Sequence, residues 1–208
     1  MKTIRILIML AVASILSITV ASAQISVGAG YLYQSLGEKT AGDYVASHIN
    51  FDGFYVGADF GIKCGKIFSV VPGIYYEFLD GARAIMTYGS SWREHYLKIP
   101  VDFRFGFNIG RAVRIFAGVG PKLHIGLASH LRSAIASINF YDLIDEYASS
   151  YNAYGRFDIL LGLNAGVEIA RHYRIMFGYD YGLLNRAKNM DSNVAHNQQF
   201  NIGVAYVF

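Results

Sequence analysis

The chain contains one cysteine, Cys64, and therefore cannot form an internal disulfide. In an exported protein this thiol either pairs with another molecule or stays free, and we expect a free thiol in a turn. One cysteine cannot build a thiolate metal site, and the six histidines lack the close spacing that zinc sites need. We accordingly predict no cofactor, no metal site and no catalytic site, and we expect that the protein is not an enzyme.

Charged residues are also scarce, at 16% of the chain, and the net charge is only +3. The sequence shows no basic stripe of the kind that binds nucleic acid, so no nucleic-acid partner is expected. Beyond residue 20 the chain lacks an apolar run of the roughly 20 residues that a transmembrane helix needs. A closed β-barrel is then the only structure with which the rest of the chain could span a membrane.

The first residues have the pattern of an export signal. Two cations, Lys2 and Arg5, precede an apolar run over residues 6–20 and a tripeptide of small residues at 21–23. This order is typical of a secretory signal peptide, so we predict that residues 1–23 are removed on export. An uncleaved membrane anchor is the alternative interpretation. The remaining residues, 24–208, would form one outer-membrane β-barrel domain.

Aromatic residues and glycine are abundant, with 15% aromatic residues and 22 glycines. Eight segments alternate between bulky apolar residues and glycine or polar residues, which is the period of a β-strand. The segments are Ile25–Gln34, His48–Ile62, Phe68–Leu79, Glu94–Phe107, Val113–Leu127, Arg156–Ile169, Tyr173–Leu184 and Gln198–Phe208. Each provides the roughly 9–11 residues that a tilted membrane strand needs.

The connections between these segments alternate in length. Lys63–Ile67, Asn108–Ala112 and Ala170–His172 are short, whereas Ser35–Ser47, Asp80–Arg93, Ala128–Gly155 and Asn185–Asn197 are longer. Outer-membrane barrels place short turns in the periplasm and longer loops outside. The pattern predicts an all-β protein, an eight-stranded antiparallel up-and-down transmembrane β-barrel. Its expected location is the outer membrane, with membrane lipids and lipopolysaccharide as partners.

The two faces of each segment differ in character. In the fourth segment Leu97 and Phe103 share an apolar face, and Lys98 and Asp102 share the opposite face. A soluble barrel of the lipocalin type would turn the apolar face inward. The polar face here is rich in glycine, which suits the crowded interior of an eight-stranded barrel better than contact with water. We therefore predict that the polar face lines the interior and that the bulky aromatic face contacts lipid.

On this register the inward charges nearly balance. The acids are Asp59, Glu77, Asp102, Asp158, Glu168 and Asp180, and the bases are Lys98, Arg104, Arg114, Lys122 and Arg174. A buried charge without a partner costs on the order of several kcal/mol. The near-balance predicts a barrel-interior charge network of salt bridges that plugs the barrel, and favours this over an ion pathway.

Four segments resemble a family of small outer-membrane β-barrel proteins of Bacteroides-type bacteria. Residues 96–105 are similar to its Y-L-x-I-P strand and residues 117–121 to its A-G-x-G-P strand. Residues 161–166 resemble its glycine-rich strand, and residues 179–185 resemble its Y-x-x-G-L-x-N ending. Members are similar to the membrane domain of OmpA and to OmpX, and some resemble PorT. The resemblance implies a porin-like outer-membrane barrel and adds a part in protein secretion as one alternative role.

The last strand has a wholly apolar face, formed by Phe200, Ile202, Val204, Tyr206 and Phe208. Apolar residues at every second position before a terminal Phe are similar to the assembly signal of this kind of barrel. The resemblance implies that the barrel-assembly machinery is a partner during biogenesis.

The expected function is a structural or surface-interaction role. The longest connection, Ala128–Gly155, is the segment that we expect to bind an extracellular ligand, because loops on a rigid scaffold commonly carry binding. A cap over the barrel mouth is the alternative interpretation of this loop. The alternatives for the whole protein are a narrow solute channel, a secretion accessory like PorT and a lipid-directed enzyme.

Two further constellations lie in the same loop. A lipid-directed hydrolase would need His130 and Ser133 as catalytic residues, although nothing in the sequence orients them. Asp142, Asp145 and Glu146 are acidic neighbours, but they do not form a complete calcium-binding loop. Neither constellation displaces the expectation that the protein is not an enzyme.

Overall fold

The structure is a computed structural model, and it describes residues 23–40, 47–81, 91–132, 137–139, 155–186 and 193–208. The predicted signal peptide lies outside these residues except for Ala23, which begins the first strand.

Nine antiparallel strands form one sheet. They are β1 (Ala23–Thr40), β2 (Ser47–Lys63), β3 (Phe68–Asp80), β4 (Ser91–Ile109), β5 (Val113–Arg132), β6 (Ser137–Asn139), β7 (Phe157–Ile169), β8 (Tyr173–Gly182) and β9 (Asn193–Val207). Each of the eight long strands pairs with the next one, and β9 pairs with β1. The short β6 lies only on the end of β5. The prediction of an eight-stranded up-and-down barrel is confirmed.

Closure of the barrel provides hydrogen-bond partners for the N–H and C=O groups of its strands. In a closed antiparallel sheet every strand has two neighbours, so no row of N–H and C=O groups is left at an edge. We call the end of the barrel that carries residues 64–67, 110–112 and 170–172 the turn end. The opposite end, where residues 41–46, 81–90, 133–156 and 183–192 connect the strands, is the loop end.

The strands extend beyond their predicted bounds at the loop end. β1 continues to Thr40, β4 begins at Ser91 and β9 begins at Asn193. Leu36 still pairs with Asn197 in this region. The residues there are largely polar, so the apolar alternation that predicts a strand stops while backbone pairing continues. The length of the strands at the loop end therefore depends on backbone hydrogen bonding and not on the side-chain pattern.

Apolar side chains cover the outside of the barrel. Val204, Leu163 and Phe177 are 63%, 57% and 56% exposed. On β4 the outward residues are apolar from Ile109 to Leu97, and they become polar at His95. Tyr76 lies at the same level and its hydroxyl is 2.6 Å from Nδ1 of His95. The exterior is therefore an apolar band that ends in aromatic and polar residues towards the loop end, as a membrane-spanning barrel requires.

Among the described residues there is no helix of the length and apolar character needed to cross a membrane.

The interior holds aromatic rings as well as charges. Tyr55, Tyr96 and Phe116 are all buried. Phe116 fits because its neighbour on β7 is a glycine: a Cβ added to Gly166 would lie 2.6 Å from Cζ of that ring. Interior glycines thus provide the space that large side chains occupy, which agrees with the limited room in an eight-stranded barrel.

Candidate functional site: the charged barrel interior

The residues of the predicted barrel-interior charge network lie together inside the barrel. All of them except Arg114 are buried, and Arg114 is half-buried near the turn end. They come from β2, β3, β4, β5, β7 and β8, so strands from opposite sides of the barrel contribute to the same interior. Inward alternation on each strand brings these side chains together.

The central cluster is built around Lys98 of β4. Its ammonium contacts Glu77 of β3 and lies 3.0 Å from Oδ2 of Asp180 on β8. Lys122 of β5 lies 2.5 Å from the other oxygen of Asp180. Glu77 also accepts a hydrogen bond from His124, with Nε2 at 2.9 Å from Oε2. Two lysines thus face two carboxylates across the interior.

Two glutamines extend this cluster to β1 and β9. The Lys98 ammonium donates to Oε1 of Gln199 at 2.7 Å. The amide of Gln199 in turn donates to Oε1 of Gln34 at 2.7 Å, and both glutamines are fully buried. The cluster therefore crosses the barrel from β4 to β1 with polar contacts.

A second cluster lies nearer the turn end, around Arg174 of β8. Its guanidinium is 3.1 Å from Asp59 of β2 and 3.4 Å from Glu168 of β7. It also donates to the Ser26 hydroxyl at 3.0 Å. The Tyr75 hydroxyl donates to Asp59 at 2.8 Å. The hydroxyls of Ser26 and Tyr75 thus give Asp59 hydrogen bonds besides its ion pair with Arg174, which is the condition under which a buried ion pair is tolerated.

Between the two clusters lies a cavity of about 40 Å³. Asp102 and Arg104 line it, and their closest charged atoms are 4.0 Å apart. Oδ1 of Asp102 and Nε of Arg104 are buried and have no hydrogen-bond partner in the structure. A cavity of this size has room for a few water molecules, which would satisfy such atoms. It is too small for a hydrated solute.

A third cluster closes the interior at the loop end. Arg186 lies 3.6 Å from Glu94, and its Nη1 donates to Asn197 at 3.1 Å. Glu94 also accepts hydrogen bonds from Tyr96 at 2.6 Å and from Ser129 at 3.1 Å. An apolar cluster packs beside them, formed by Leu32, Leu36, Phe51, Tyr55, Leu79, Trp92, Tyr96 and Ala195.

Several of these residues are absent from the predicted charge network. Glu94 is the first residue of the predicted fourth segment and has the same inward parity as Tyr96 and Lys98, so the alternation already placed it on the inward face. Gln34 and Gln199 follow the same logic on β1 and β9. Arg186 follows the end of β8, and no strand period reaches it, so the sequence holds no signal that places it inside.

The remaining sequence candidates lie elsewhere. Cys64 is free and exposed in the turn after β2. His130 lies on β5, whereas Ser133 and the acidic residues Asp142, Asp145 and Glu146 are outside the described residues. Of the loop 128–155, the structure describes the end of β5, the short β6 and Gly155. Within the described part of the chain, no three histidine, cysteine or acidic side chains are grouped as a metal site.

The residues proposed as an assembly signal share one outward face of the last strand. Phe200, Ile202, Val204, Tyr206 and Phe208 are 55%, 44%, 63%, 42% and 70% exposed. They lie in the apolar band. Their recognition by an assembly machinery stays a prediction.

The chain matches a family model described as "Outer membrane protein beta-barrel domain" over residues 8–208. Among solved structures it is similar to Neisserial surface protein A, with 13% identity and a TM-score of 0.52, covering 88% of this chain and 97% of that one. It is also similar to Ail of Yersinia pestis, solved with the heparin analogue sucrose octasulfate (14% identity, 90% and 99% covered, TM-score 0.47). A third is the outer membrane enzyme PagL (10% identity, 88% and 97% covered, TM-score 0.43). No curated protein sequence matches the chain significantly.

Proposed function

The chain belongs to the outer membrane protein β-barrel domain family, and on this premise we propose that it is a structural and surface-interaction protein with a plugged interior. The predicted outer-membrane location is confirmed by this membership. The turn end then faces the periplasm and the loop end faces outward, because outer-membrane barrels carry their short turns in the periplasm.

The observation that carries the plugged interior is the position of Lys98. It connects Glu77 on one side of the barrel with Asp180 on the other, and Lys122 shares that second carboxylate. A side chain that spans the interior and is held by two carboxylates blocks passage. The small cavity beside it, about 40 Å³, supports the same proposal.

Conductance in planar bilayers tests this proposal against a narrow solute channel. We expect no steady openings from the purified barrel. The double variant Lys98→Ala, Lys122→Ala removes both central cations, and its conductance should rise above that of the unaltered chain. Steady openings of the unaltered chain would contradict the plugged interior.

The loop 128–155 is the part of the protein that we propose for contact with an extracellular ligand. The strand β5 carries its first residues and the short β6 pairs back onto β5, so the loop starts from a rigid sheet. Lipopolysaccharide is the first ligand to examine, because it surrounds the loop end. Replacing residues 140–150 with a short Gly-Ser linker should reduce binding to immobilised lipopolysaccharide and leave the barrel folded. Unchanged binding would count against the loop.

The proposed role does not include catalysis. Mass spectrometry of lipid A from cells that express the chain gives the comparison with a lipid-directed enzyme. We expect no change in acyl composition. A change that disappears in the Ser133→Ala variant would replace the proposed role with a hydrolase.

A further inference from the structure

The turn end of the barrel has an unusual distribution of charge. Each of its three connections carries a cation, namely Lys66 after β2, Arg111 after β4 and Arg171 after β7, and Lys63 is the last residue of β2. None of the three carries an acid. All four side chains are exposed, and no described carboxylate lies within 4.0 Å of any of them.

These cations surround an open vestibule of about 430 Å³. The half-buried Arg114 adds a fifth cation to its lining, and Glu168 is the one acidic residue that lines it. That carboxylate already pairs with Arg174 inside the barrel. The vestibule therefore has an excess of positive charge that the described residues do not compensate.

The loop end differs. Its described exposed cations are Arg93, Arg132 and Arg156, and Arg93 lies 3.3 Å from Asp80. Asp52 is also placed there and accepts a hydrogen bond from Tyr31. Among the described residues, cations and acids are thus mixed at the loop end, whereas the three turns carry cations without acids. Fields from several like charges around one concavity add, and they attract a ligand of the opposite sign.

We propose that the vestibule at the turn end binds an acidic polypeptide segment in the periplasm. The cations come from three separate turns, so one small anion cannot contact them all, whereas a chain with several carboxylates can. The turns are short and held by paired strands, which fixes the backbone positions that carry the cations before binding. Lipid headgroups surround the outer wall, but Arg114 and Glu168 line the vestibule from inward-facing positions on β5 and β7, so it opens along the barrel axis.

The direct test is the anisotropy of a fluorescent oligoglutamate peptide titrated with the full barrel in a zwitterionic detergent. The triple variant Lys66→Gln, Arg111→Gln, Arg171→Gln should weaken binding roughly tenfold, because exposed ion pairs each contribute modestly. The matched control is Arg93→Gln, Arg132→Gln, Arg156→Gln, which removes the same charge at the loop end and should leave affinity unchanged. Equal losses in the two variants would overturn the proposal.

Two further experiments distinguish an acidic polypeptide from a small anion and from an anionic lipid surface. Pyrophosphate that competes as well as the peptide at equal charge would point to a small anion and overturn the polypeptide. Nanodiscs with phosphatidylglycerol are compared with nanodiscs of phosphatidylcholine alone. The proposal requires the peptide to bind in both. If the peptide does not bind in nanodiscs with phosphatidylglycerol, the cations contact the membrane surface and the proposal is wrong.

The only cysteine of the chain provides a readout of position. Cys64 is exposed in the turn between Lys63 and Lys66. An oligoglutamate peptide with a thiol-reactive end group should modify Cys64 faster than an oligoglutamine peptide with the same group. Raising the ionic strength should remove the difference, because salt screens exposed charges. Equal rates at low salt would contradict binding in the vestibule.

Discussion

Asp180 shows how a single residue holds the interior together. Its carboxylate is fully buried and contacts the ammonium groups of Lys98 and Lys122, which come from the adjacent strands β4 and β5. Removing one member of a buried ion pair leaves a charge that neither water nor a partner compensates. The interior therefore depends on the presence of all three groups and not on any one pair.

The Asp180→Asn variant should be destabilised by about 3–5 kcal/mol, since it keeps the side-chain volume but leaves two lysines with one carboxylate. Urea unfolding of the refolded barrel measures this. Asp80→Asn is the control because Asp80 pairs with Arg93 at the exposed loop end, where such a pair contributes at most about 1 kcal/mol. Similar midpoints for the two variants would show that the central pairs do not stabilise the barrel.

Gly166 illustrates a steric requirement at the same scale. Its missing side chain gives Phe116 the space to lie inside the barrel. We expect Gly166→Ala to cost about 1–3 kcal/mol, as overpacking of a core does. Gly61→Ala is the matched control, because a Cβ there would meet its nearest atom only at 3.6 Å. A midpoint for Gly166→Ala equal to that of the control would refute the steric account.

At the scale of elements, the sequence pattern predicted the strands but not the residues at which they end on the loop-end side. Alternation located every barrel strand, because a wall with lipid on one side and packed side chains on the other must alternate. At the loop end the pattern fades, and β9 begins at Asn193 although the alternation starts at Gln198. Inward parity also placed Lys98 and Asp180 on interior faces. The position of Arg186 could not be predicted, since it depends on how the chain folds back after β8 has ended.

The turn after β7 contains a local strain that a substitution can relieve. Ala170 and Arg171 have φ values of 51° and 66°, in the left-handed region that costs residues with a side chain roughly 1–2 kcal/mol. Ala170→Gly should therefore leave stability unchanged or raise it by up to about 1 kcal/mol. Ala112→Gly, in a turn where the alanine has no positive φ, should lower stability. Losses of equal size in both variants would argue against strain at Ala170.

The loop-end apolar cluster has its own reporter, since Trp92 is the only tryptophan in the chain. Its ring meets Phe51 edge-on at 5.2 Å, and its Nε1 donates to Ser129 at 2.9 Å. We expect the fluorescence of the folded barrel to resist quenching by iodide. Phe51→Ala should increase the quenching, whereas Phe200→Ala on the outer face should not. Strong quenching in the unaltered chain would show that the cluster does not shield Trp92.

At the scale of the whole molecule, the closed barrel predicts resistance to detergent. Each of its eight long strands is hydrogen-bonded to two neighbours, so the barrel wall has no free edge at which unfolding could begin. Purified protein should migrate at one position on a gel when unheated and at another after boiling. Replacing residues 140–150 with a Gly-Ser linker should preserve that difference, because the eight paired barrel strands lie outside this segment. A single position under both conditions would contradict a stable closed barrel.

The length of the strands has a mechanical consequence for contacts at the loop end. β1, β4 and β5 have 18, 19 and 20 residues, about twice the roughly 9–11 that suffice to cross a membrane. The surplus lies at the loop end, where the outward side chains are no longer apolar. The paired strands thus form a collar at the loop end that extends beyond the apolar band. A force applied to this collar would act directly on hydrogen-bonded sheet and pass along the strands into the membrane-spanning part of the barrel.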